Sequence, residues 1–378
     1  MPHHIECLSD LKRLAELEPQ WRDLHIAAGG GVFSGFDWLV AWAEVYGRES
    51  ASSPLIALTW FDGRLDGALA LGISPLRPAR FSPRVPVGKN LADVRAGFHE
   101  VLLRPGKQSA AARGIVEAIR ASRHCRMVDL SPMRGSDALE ALVAGAKSAG
   151  QQVYRRTEIT SATADLSRGW APYLARRSRN FRKTLKRTNA AIEQAGAVFE
   201  VMTGPTADSA AAIARLAALS ERSWKARMGT HIAAGRFADF LQALAVRSMP
   251  TGGFRTIFLR LGARDIAAII LLRSGHIEHA FVMEFDEAEA ALSPGRAILS
   301  QALEIAARDG IKVVDMLRST ALTERFADGS SSLERVTITE QHTWPDLAFA
   351  AERRLAPIGR NFRRKFRQET RKRAAFKD

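Results

Sequence analysis

Cysteine is scarce in this chain of 378 residues, which contains only Cys7 and Cys125. Neither belongs to a Cys-x-x-Cys motif, so a disulfide framework is excluded and a reducing cytoplasm is the expected environment. Histidine adds no metal-ligand spacing, because His276 and His279 fall in a strand pattern that points them to opposite faces. More often than not such histidines are ordinary strand residues. We therefore expect no metal.

Long apolar runs are also missing. The longest extends from Ile266 to Leu272, far short of the ~20 residues that cross a bilayer. The charged residues near the N-terminus do not resemble a signal peptide. Walker and dinucleotide glycine motifs are absent as well. With 46% hydrophobic residues, the length suits two globular domains in the cytoplasm.

Positive charge is what the chain has in excess, with a net value of +15. Seven basic residues and no acid stand between Arg176 and Arg187, and residues 352–378 carry a net +8. Such clusters favour a polyanion, which leaves open CoA phosphates, an acyl carrier protein, nucleic acid or anionic lipid. The tail interleaves phenylalanines with cations, which suits a membrane surface or RNA. No folded nucleic-acid motif accompanies it, so we expect no sequence-specific nucleic-acid binding.

Hydrophobic periodicity predicts mixed α and β structure with a weak internal repeat. In the first half, helices are expected near residues 107–122 and 136–149, on either side of the strand "MVDL". In the second half, three strands are expected at Phe254 to Leu261, Ile266 to Arg273 and His276 to Phe285. A helix and the strand "IKVVDML" follow them, and "IKVVDM" echoes "CRMVDL" of the first half.

The helix that begins in "LSPGRAIL" has a start suited to anions. Ser293 is expected at the N-cap and Pro294 at the first helical position. The amides of Gly295, Arg296 and Ala297 would then lie at the positive end of the helix dipole. The alternative is that Ser-Pro-Gly is only a well-made helix start.

The order of these elements, three strands followed by a loop, a helix and a further strand, resembles that of the GNAT superfamily of acyl-CoA-dependent N-acyltransferases. "FSGFDWLVAWAEVYG", "SRNFRKTLKR", "ERSWKARMGT", "LSPGRAIL" and "VVDML" resemble its two-domain branch, which includes CelD-like proteins of cellulose biosynthesis and, more distantly, FemAB-like transferases. The resemblance extends from about residue 30 to 345. It implies an α/β (mixed α+β) fold of two tandem GNAT-like domains, each a mixed sheet flanked by helices. The expected division is 1–155, 156–350 with the acyl-CoA site, and a basic tail at 351–378.

The same resemblance implies where the donor binds. Acetyl-CoA or another acyl-CoA would lie between the strand ending at Phe285 and the strand that contains Asp315. Backbone groups of Val282 and Met283 would face the pantetheine. Ser293 and the amides of Gly295, Arg296 and Ala297 would form the pyrophosphate site, with added charge from the Arg296 side chain.

Two carboxylates are candidates for the catalytic base that takes a proton from the amine. Glu284 is expected nearest the thioester, on one strand face with Glu278, while Phe281, Met283 and Phe285 share the other face. The alternative is that Glu284 is a solvated acid at the edge of a loop.

Asp315 is the second candidate, because it interrupts an apolar strand and so needs a partner or a role. Arg318 is the nearest candidate partner, and a purely structural carboxylate is the alternative. Where relatives carry a Tyr-Lys pair, this chain has Leu322 and Thr323, with Phe326 as the following aromatic. What that pair does in relatives is therefore not expected of this chain.

The expected function is acyl-CoA-dependent N-acyl transfer to an amine acceptor, with acyl-CoA or an acyl carrier protein as donor. The alternative is a non-catalytic accessory protein with a GNAT fold in a membrane-associated polysaccharide (cellulose) synthesis system. Either protein would be cytoplasmic, and the basic tail could hold it at the anionic inner membrane surface.

Overall fold

The computed structural model describes residues 3–47, 52–80, 82–93 and 95–353. The strands are β1 His3–Leu8, β2 Ser53–Phe61, β3 Arg64–Leu76, β4 Val85–Asn90, β5 Leu102–Leu103, β6 Met127–Arg134, β7 Gln151–Asp165, β8 Val198–Met202, β9 Phe254–Leu261, β10 Arg264–Ser274, β11 Ile277–Phe285, β12 Val313–Asp315 and β13 Gly329–Glu340. The helices are α1 Lys12–Glu16, α2 Glu18–Ala28, α3 Phe36–Tyr46, α4 Gln108–Ser122, α5 Asp137–Ser148, α6 Trp170–Arg176, α7 Arg179–Gln194, α8 Ser209–Ser220, α9 Trp224–Arg227, α10 Phe237–Ser248, α11 Pro294–Arg308 and α12 Thr323–Phe326. Residues 344–353 are helical as well, and the predicted basic tail lies outside the described residues from 354 onward.

One mixed sheet runs through the molecule in the order β1-β2-β3-β4-β6-β13-β7-β12-β11-β10-β9-β8, with β5 beside β3. From each end toward the centre the pairing is the same: three antiparallel pairs, one parallel pair and one antiparallel pair. The parallel pair is β4 with β6 in the first half and β11 with β12 in the second. This symmetry agrees with the internal repeat expected from the two similar strands.

The two halves exchange their last strands at the centre of the sheet. β7 follows the first half along the chain but pairs with β12, whereas β13 follows the second half but pairs with β6. β7 and β13 also pair with each other, from Gln151 with Glu340 to Thr163 with Gly329. The boundary expected between residues 155 and 156 falls within β7, and the division of the chain there stays a prediction.

Helices α4 and α11 connect the parallel strands of their respective halves, as parallel pairing requires. Both have 15 residues and bury an alanine- and isoleucine-rich face. The helices expected near 107–122 and 136–149 and the three strands expected between 254 and 285 are confirmed, with ends that shift by at most two residues. Local periodicity therefore predicts the elements that frame the second parallel pair.

Aromatic side chains join the two halves in a shared core. The Trp38 ring of α3 lies 4.8 Å from the Phe240 ring of α10 and 5.4 Å from the Phe281 ring of β11. Phe33, also from the first half, contacts Phe281 at 5.9 Å between ring centroids. Buried rings of this size dominate core energetics, so β11 is held between side chains from both halves.

Candidate active site

β11 and β12 diverge after a short parallel contact. Their pairing covers only three residues of each strand and ends where His279 lies opposite Asp315. β11 continues to Phe285, and in the part of the chain that the structure describes its edge from Ala280 onward has no strand partner on this side. This divergence, the strand fork, has its apex at His279 and Asp315 and opens toward the start of α11.

A β-bulge in β11 changes which side chains share a face. Ile270 pairs with Val282 but Leu271 pairs with Ala280, so Phe281 is the extra residue. Phe281 packs in the core shared by the halves, whereas Met283 and Phe285 pack in the core of the second half. The expectation that these three side chains share one face was therefore wrong.

The bulge also separates two acids that were expected on one face. Glu278 faces Arg255 at 3.4 Å, whereas Glu284 contacts Lys225 of α9. Strict alternation along the strand is lost where one extra residue intervenes.

Asp315 is buried at the fork apex, and both of its carboxylate oxygens accept hydrogen bonds. Its Oδ2 accepts a 2.6 Å hydrogen bond from Nη2 of Arg134, and its Oδ1 accepts bonds from the Ser161 hydroxyl and, at 2.8 Å, from the Leu317 amide. Arg318, the expected partner, makes no ion pair with Asp315 in the described residues. The partner is Arg134 at the end of β6, and in the sheet the exchanged strands β13 and β7 lie between β6 and β12.

His279 is the residue at the apex that sequence reasoning set aside. Its side chain is fully buried, 5.7 Å from the Phe33 ring and 5.4 Å from the Phe98 ring. Neither ring nitrogen has a hydrogen-bond partner among the described residues, although Nδ1 lies 3.8 Å from Oδ2 of Asp315. Burial lowers the pKa of His279 to about 4, aided by Arg134 and opposed by Asp315, so the ring is neutral at pH 7.

Glu284 lies in β11 five positions beyond His279. Its Oε1 accepts a 2.7 Å hydrogen bond from Nζ of Lys225, which also donates to the Met283 carbonyl at 3.0 Å. The second carboxylate oxygen, Oε2, is buried without a partner among the described residues. Lys225 belongs to the quoted stretch "ERSWKARMGT", but nothing in that pattern indicated that it would pair with Glu284.

The start of α11 differs in detail from the expected cap. Ser293 precedes the helix, as expected, but its backbone is left-handed, with φ of 55°, and its side chain makes no capping hydrogen bond. Its carbonyl accepts from the amides of Arg296, at 3.0 Å, and Ala297, at 3.2 Å. Of the three amides expected to face an anion, only that of Gly295 lacks an acceptor among the described residues.

Cations converge on this helix start from three elements. Arg296 of α11 donates to the Thr188 hydroxyl of α7 at 3.4 Å. Burial lowers the pKa of Arg296, and the charges of Arg325 and Arg187 lower it further. Three guanidinium groups that disfavour one another would each be stabilised by a bound anion.

Neither a metal centre nor a membrane span appears in the described residues. No group of three or more histidine, cysteine or acidic side chains has the arrangement of a metal site there. In the same ranges, every helix is too short or too polar to cross a bilayer.

Residues 179–326 match the family model of the acetyltransferase (GNAT) domain. This segment is less than half of the chain, and it contains α7, the strand fork, α11 and every site residue expected from the sequence. No curated protein matches the sequence.

Solved structures with similar folds cover most of the chain. FemX superposes with a TM-score of 0.60 at 9% identity, over 89% of this chain and 98% of FemX. L-PGS from Bacillus licheniformis gives 0.55 at 12% identity, over 91% and 96%. The C-terminal domain of a putative lysylphosphatidylglycerol synthetase from Agrobacterium fabrum gives 0.54 at 12% identity, over 89% and 95%. At these identities the likeness concerns the fold, which is mixed α/β with two tandem GNAT-like halves, as predicted.

Proposed function

We propose that this protein is a GNAT-type N-acyltransferase, which moves an acyl group from a pantetheine thioester, as in acyl-CoA, to an amine. The observation that carries the proposal is the strand fork. It runs from the cationic start of α11 to a buried acid and imidazole, in a segment that matches the acetyltransferase domain.

The mouth of the fork suits the anionic end of the donor. The amide of Gly295, which has no acceptor among the described residues, lies at the positive end of the α11 dipole. Arg296 follows it in the helix, within electrostatic reach of Arg325 and Arg187. From the mouth, the unpaired edge of β11 offers backbone donors and acceptors to the amides of a pantetheine arm.

The length of β11 sets where the thioester would lie. Phe285, beside Gly295, and His279, at the apex, are six residues apart, which corresponds to about 20 Å at the rise of a β-strand. An extended arm anchored at Gly295 would therefore bring its reactive end toward the apex rather than toward Glu284. Along the strand, Glu284 is on the order of 15 Å from the apex, so Glu284 and Asp315 do not serve the same reacting atom.

We assign proton transfer to the apex. The amine nitrogen attacks the thioester carbonyl, a C–N bond forms, the C–S bond breaks, and the thiolate takes up a proton as it leaves. His279 is neutral, and neither ring nitrogen has a hydrogen-bond partner among the described residues. Its unprotonated nitrogen can therefore accept the proton that the amine loses. Asp315 holds the geometry of the apex and stabilises the imidazolium that forms. In this assignment, Glu284 positions Lys225 near the mouth.

A second candidate function is the accessory role in polysaccharide synthesis. The observation in its favour is that apolar side chains lie beside Gly295 at the start of α11. A Cβ placed on Gly295 would lie 3.5 Å from the Phe285 ring and 3.9 Å from Leu322. Leu322 also stands where relatives were expected to carry the Tyr-Lys pair. A binding platform without turnover is consistent with both facts.

Titration and turnover separate the two functions. We would titrate acetyl-CoA and longer acyl-CoAs into the protein by calorimetry, and then measure thiol release and product mass with a panel of amines. Saturable binding and amine-dependent thiol release are expected of the transferase. No binding of any acyl-CoA at low salt would refute the transferase and favour the accessory role.

A further inference from the structure

Helix α7 carries a row of cations without acidic partners. Arg176 and Arg177, just before it, both pair with Asp328. The next five cations are exposed, and none has a carboxylate partner in the described ranges. These five residues, the basic stripe, are Arg179, Arg182, Lys183, Lys186 and Arg187.

The basic stripe occupies one face of the helix. Its members follow the spacing i, i+3, i+4, i+7 and i+8, which places them side by side over about 12 Å. The opposite face is fixed in the core, because Leu185 and Ile192 are buried and Phe181 contacts the Phe326 ring at 5.0 Å. The helix therefore cannot turn its cations toward acids of its own chain.

The start of α7 adds to this positive field. Ser178 caps the helix through a 3.1 Å bond from the Phe181 amide, and no acid lies in the first turn. Acids are normally favoured at that end of a helix, where the dipole is positive. Like charges on one helix face lower the stability of the fold. The binding of a partner that neutralises these charges is therefore favoured by a corresponding free energy.

The stripe leads into the mouth of the fork. Arg187, its last member, directly precedes Thr188, whose hydroxyl accepts a 3.4 Å hydrogen bond from Arg296. Burial lowers the pKa of Arg296, and the charges of Arg325 and Arg187 lower it further. Of the amides of residues 295–297 at the start of α11, only that of Gly295 lacks an acceptor in the described part of the chain. One free amide suits a single phosphate group better than the diphosphate of CoA. The five cations of the basic stripe are also more than the remaining phosphate of CoA needs.

We infer that the donor thioester is delivered on the phosphopantetheine arm of an acidic carrier protein, which docks an acidic helix on the basic stripe. The inference rests on the proposed function. A carrier protein combines the one phosphate, the arm and an extended acidic surface, whereas RNA has no such arm. During transfer the amine forms its C–N bond, the C–S bond breaks, and the carrier keeps the thiol with its proton.

The test compares one acyl group on three supports. We would measure the Kd of the octanoyl thioester of an acyl carrier protein, of CoA and of pantetheine with the full-length protein, at several salt concentrations. Octanoyl carrier protein should bind at least about tenfold more tightly than octanoyl-CoA, and its binding should weaken with salt. The carrier protein without its arm should bind more weakly than the octanoyl form.

Charge reversal on the stripe supplies the decisive variant. Lys183→Glu with Lys186→Glu should raise the Kd of the octanoyl carrier protein by about tenfold or more and leave the Kd of octanoyl-pantetheine unchanged. Arg113→Glu with Lys147→Glu, an equal charge change on exposed sites of α4 and α5, should change neither Kd.

Two outcomes overturn the inference while the proposed function stands: octanoyl-CoA binds as tightly as the carrier form, or the stripe variant weakens all three thioesters equally. Retention of RNA by the stripe, without any preference for the carrier protein, would also overturn it. Failure of all three thioesters to bind would overturn the proposed function and the inference together.

Discussion

The two parallel strand pairs of the sheet begin alike and end differently. In the first half, β4 and β6 pair over three residues, and the chain then returns so that His99 bridges to Met133. The His99 amide donates to the Pro132 carbonyl at 2.7 Å, and the Arg134 amide donates to the His99 carbonyl at 3.0 Å. In the second half β11 has no such return among the described residues. One copy of the fork is thus filled by its own chain, while the other keeps its strand edge unpaired.

A buried aspartate is common to both forks, so its burial alone does not distinguish a structural carboxylate from a catalytic one. Asp129 lies opposite Lys89 just as Asp315 lies opposite His279. Asp129 pairs with Arg335 through a 2.8 Å hydrogen bond, as Asp315 pairs with Arg134. Burial acts to raise the pKa of Asp129, but hydrogen bonds from Arg335 and Thr337 lower this pKa below its ordinary value.

What differs between the forks is the residue opposite the aspartate and the start of the connecting helix. Lys89 is exposed, whereas His279 is buried and neither of its ring nitrogens has a hydrogen-bond partner among the described residues. Helix α4 begins with Gln108 and Ser109, whereas α11 begins with Pro294 and Gly295. If the second half alone is active, its function should depend on these differences, and equivalent changes in the first half serve as controls.

The largest effect is expected from a negative charge at the start of α11. Gly295→Asp should lower acyl-CoA affinity and turnover by about 100-fold or more, because the carboxylate repels the anionic donor. The helix itself should tolerate an acid there, since the dipole favours it and a Cβ meets only ordinary contacts.

Two controls separate charge from position. Gly295→Asn adds nearly the same volume without the charge and should retain most of the binding. Ser109→Asp adds the charge at the equivalent site of α4 and should leave binding and turnover unchanged. Equal losses from Gly295→Asp and Gly295→Asn would indicate steric exclusion and remove the electrostatic explanation.

Neutralising the two aspartates should separate stability from catalysis. Asp315→Asn and Asp129→Asn each leave a half-buried arginine without its buried carboxylate, so each should lower the free energy of unfolding by roughly 2–3 kcal/mol, measured in urea. Only Asp315→Asn should also lower kcat, by about 100-fold. A similar kcat in both variants would show that Asp315 has the same structural role as Asp129.

His279 should make stability depend on pH. The pKa of His279 in the folded protein, about 4, lies below the ordinary value of about 6.5. The stabilisation from the neutral ring is therefore fully present above pH 6.5, and the free energy of unfolding falls as the pH is lowered from 6.5 toward 4. At pH 5 the loss is about 2 kcal/mol relative to pH 7. His279→Leu should remove this part of the decline in unfolding free energy, whereas Lys89→Leu should not. Parallel pH profiles for the wild type and His279→Leu would contradict the assignment.

Local patterns predicted the elements of the second fork well but not the contacts within it. β9, β10 and β11 are predictable because alternating or continuous apolar runs reflect burial directly. The burial of Asp315 was also predictable from its apolar neighbours. Its partner was not, because Arg134 lies 181 positions away in sequence and comes close only through the strand exchange.

The bulge and the apex histidine were missed for a related reason. An extra residue at Phe281 leaves no mark on composition, and strict alternation assigned the faces of β11 incorrectly beyond it. His279 gains its importance from lying opposite Asp315, which requires the parallel register of two strands about 35 residues apart. Pairing "IEH" with "VVD" in that register is the signal that could have identified it.

The smallest effect concerns two serines that both precede helices. Ser136 caps α5 through a 3.2 Å bond from the Leu139 amide, so Ser136→Ala should cost about 1 kcal/mol of unfolding free energy. Ser293 makes no such bond, and its φ of 55° favours glycine, so Ser293→Gly should be neutral or stabilising by a few tenths of a kcal/mol. Urea denaturation of both variants measures the difference. If Ser293→Gly instead destabilises the protein as much as Ser136→Ala, the serine hydroxyl contributes a cap in solution, and the start of α11 resembles an ordinary helix start more closely than its geometry indicates.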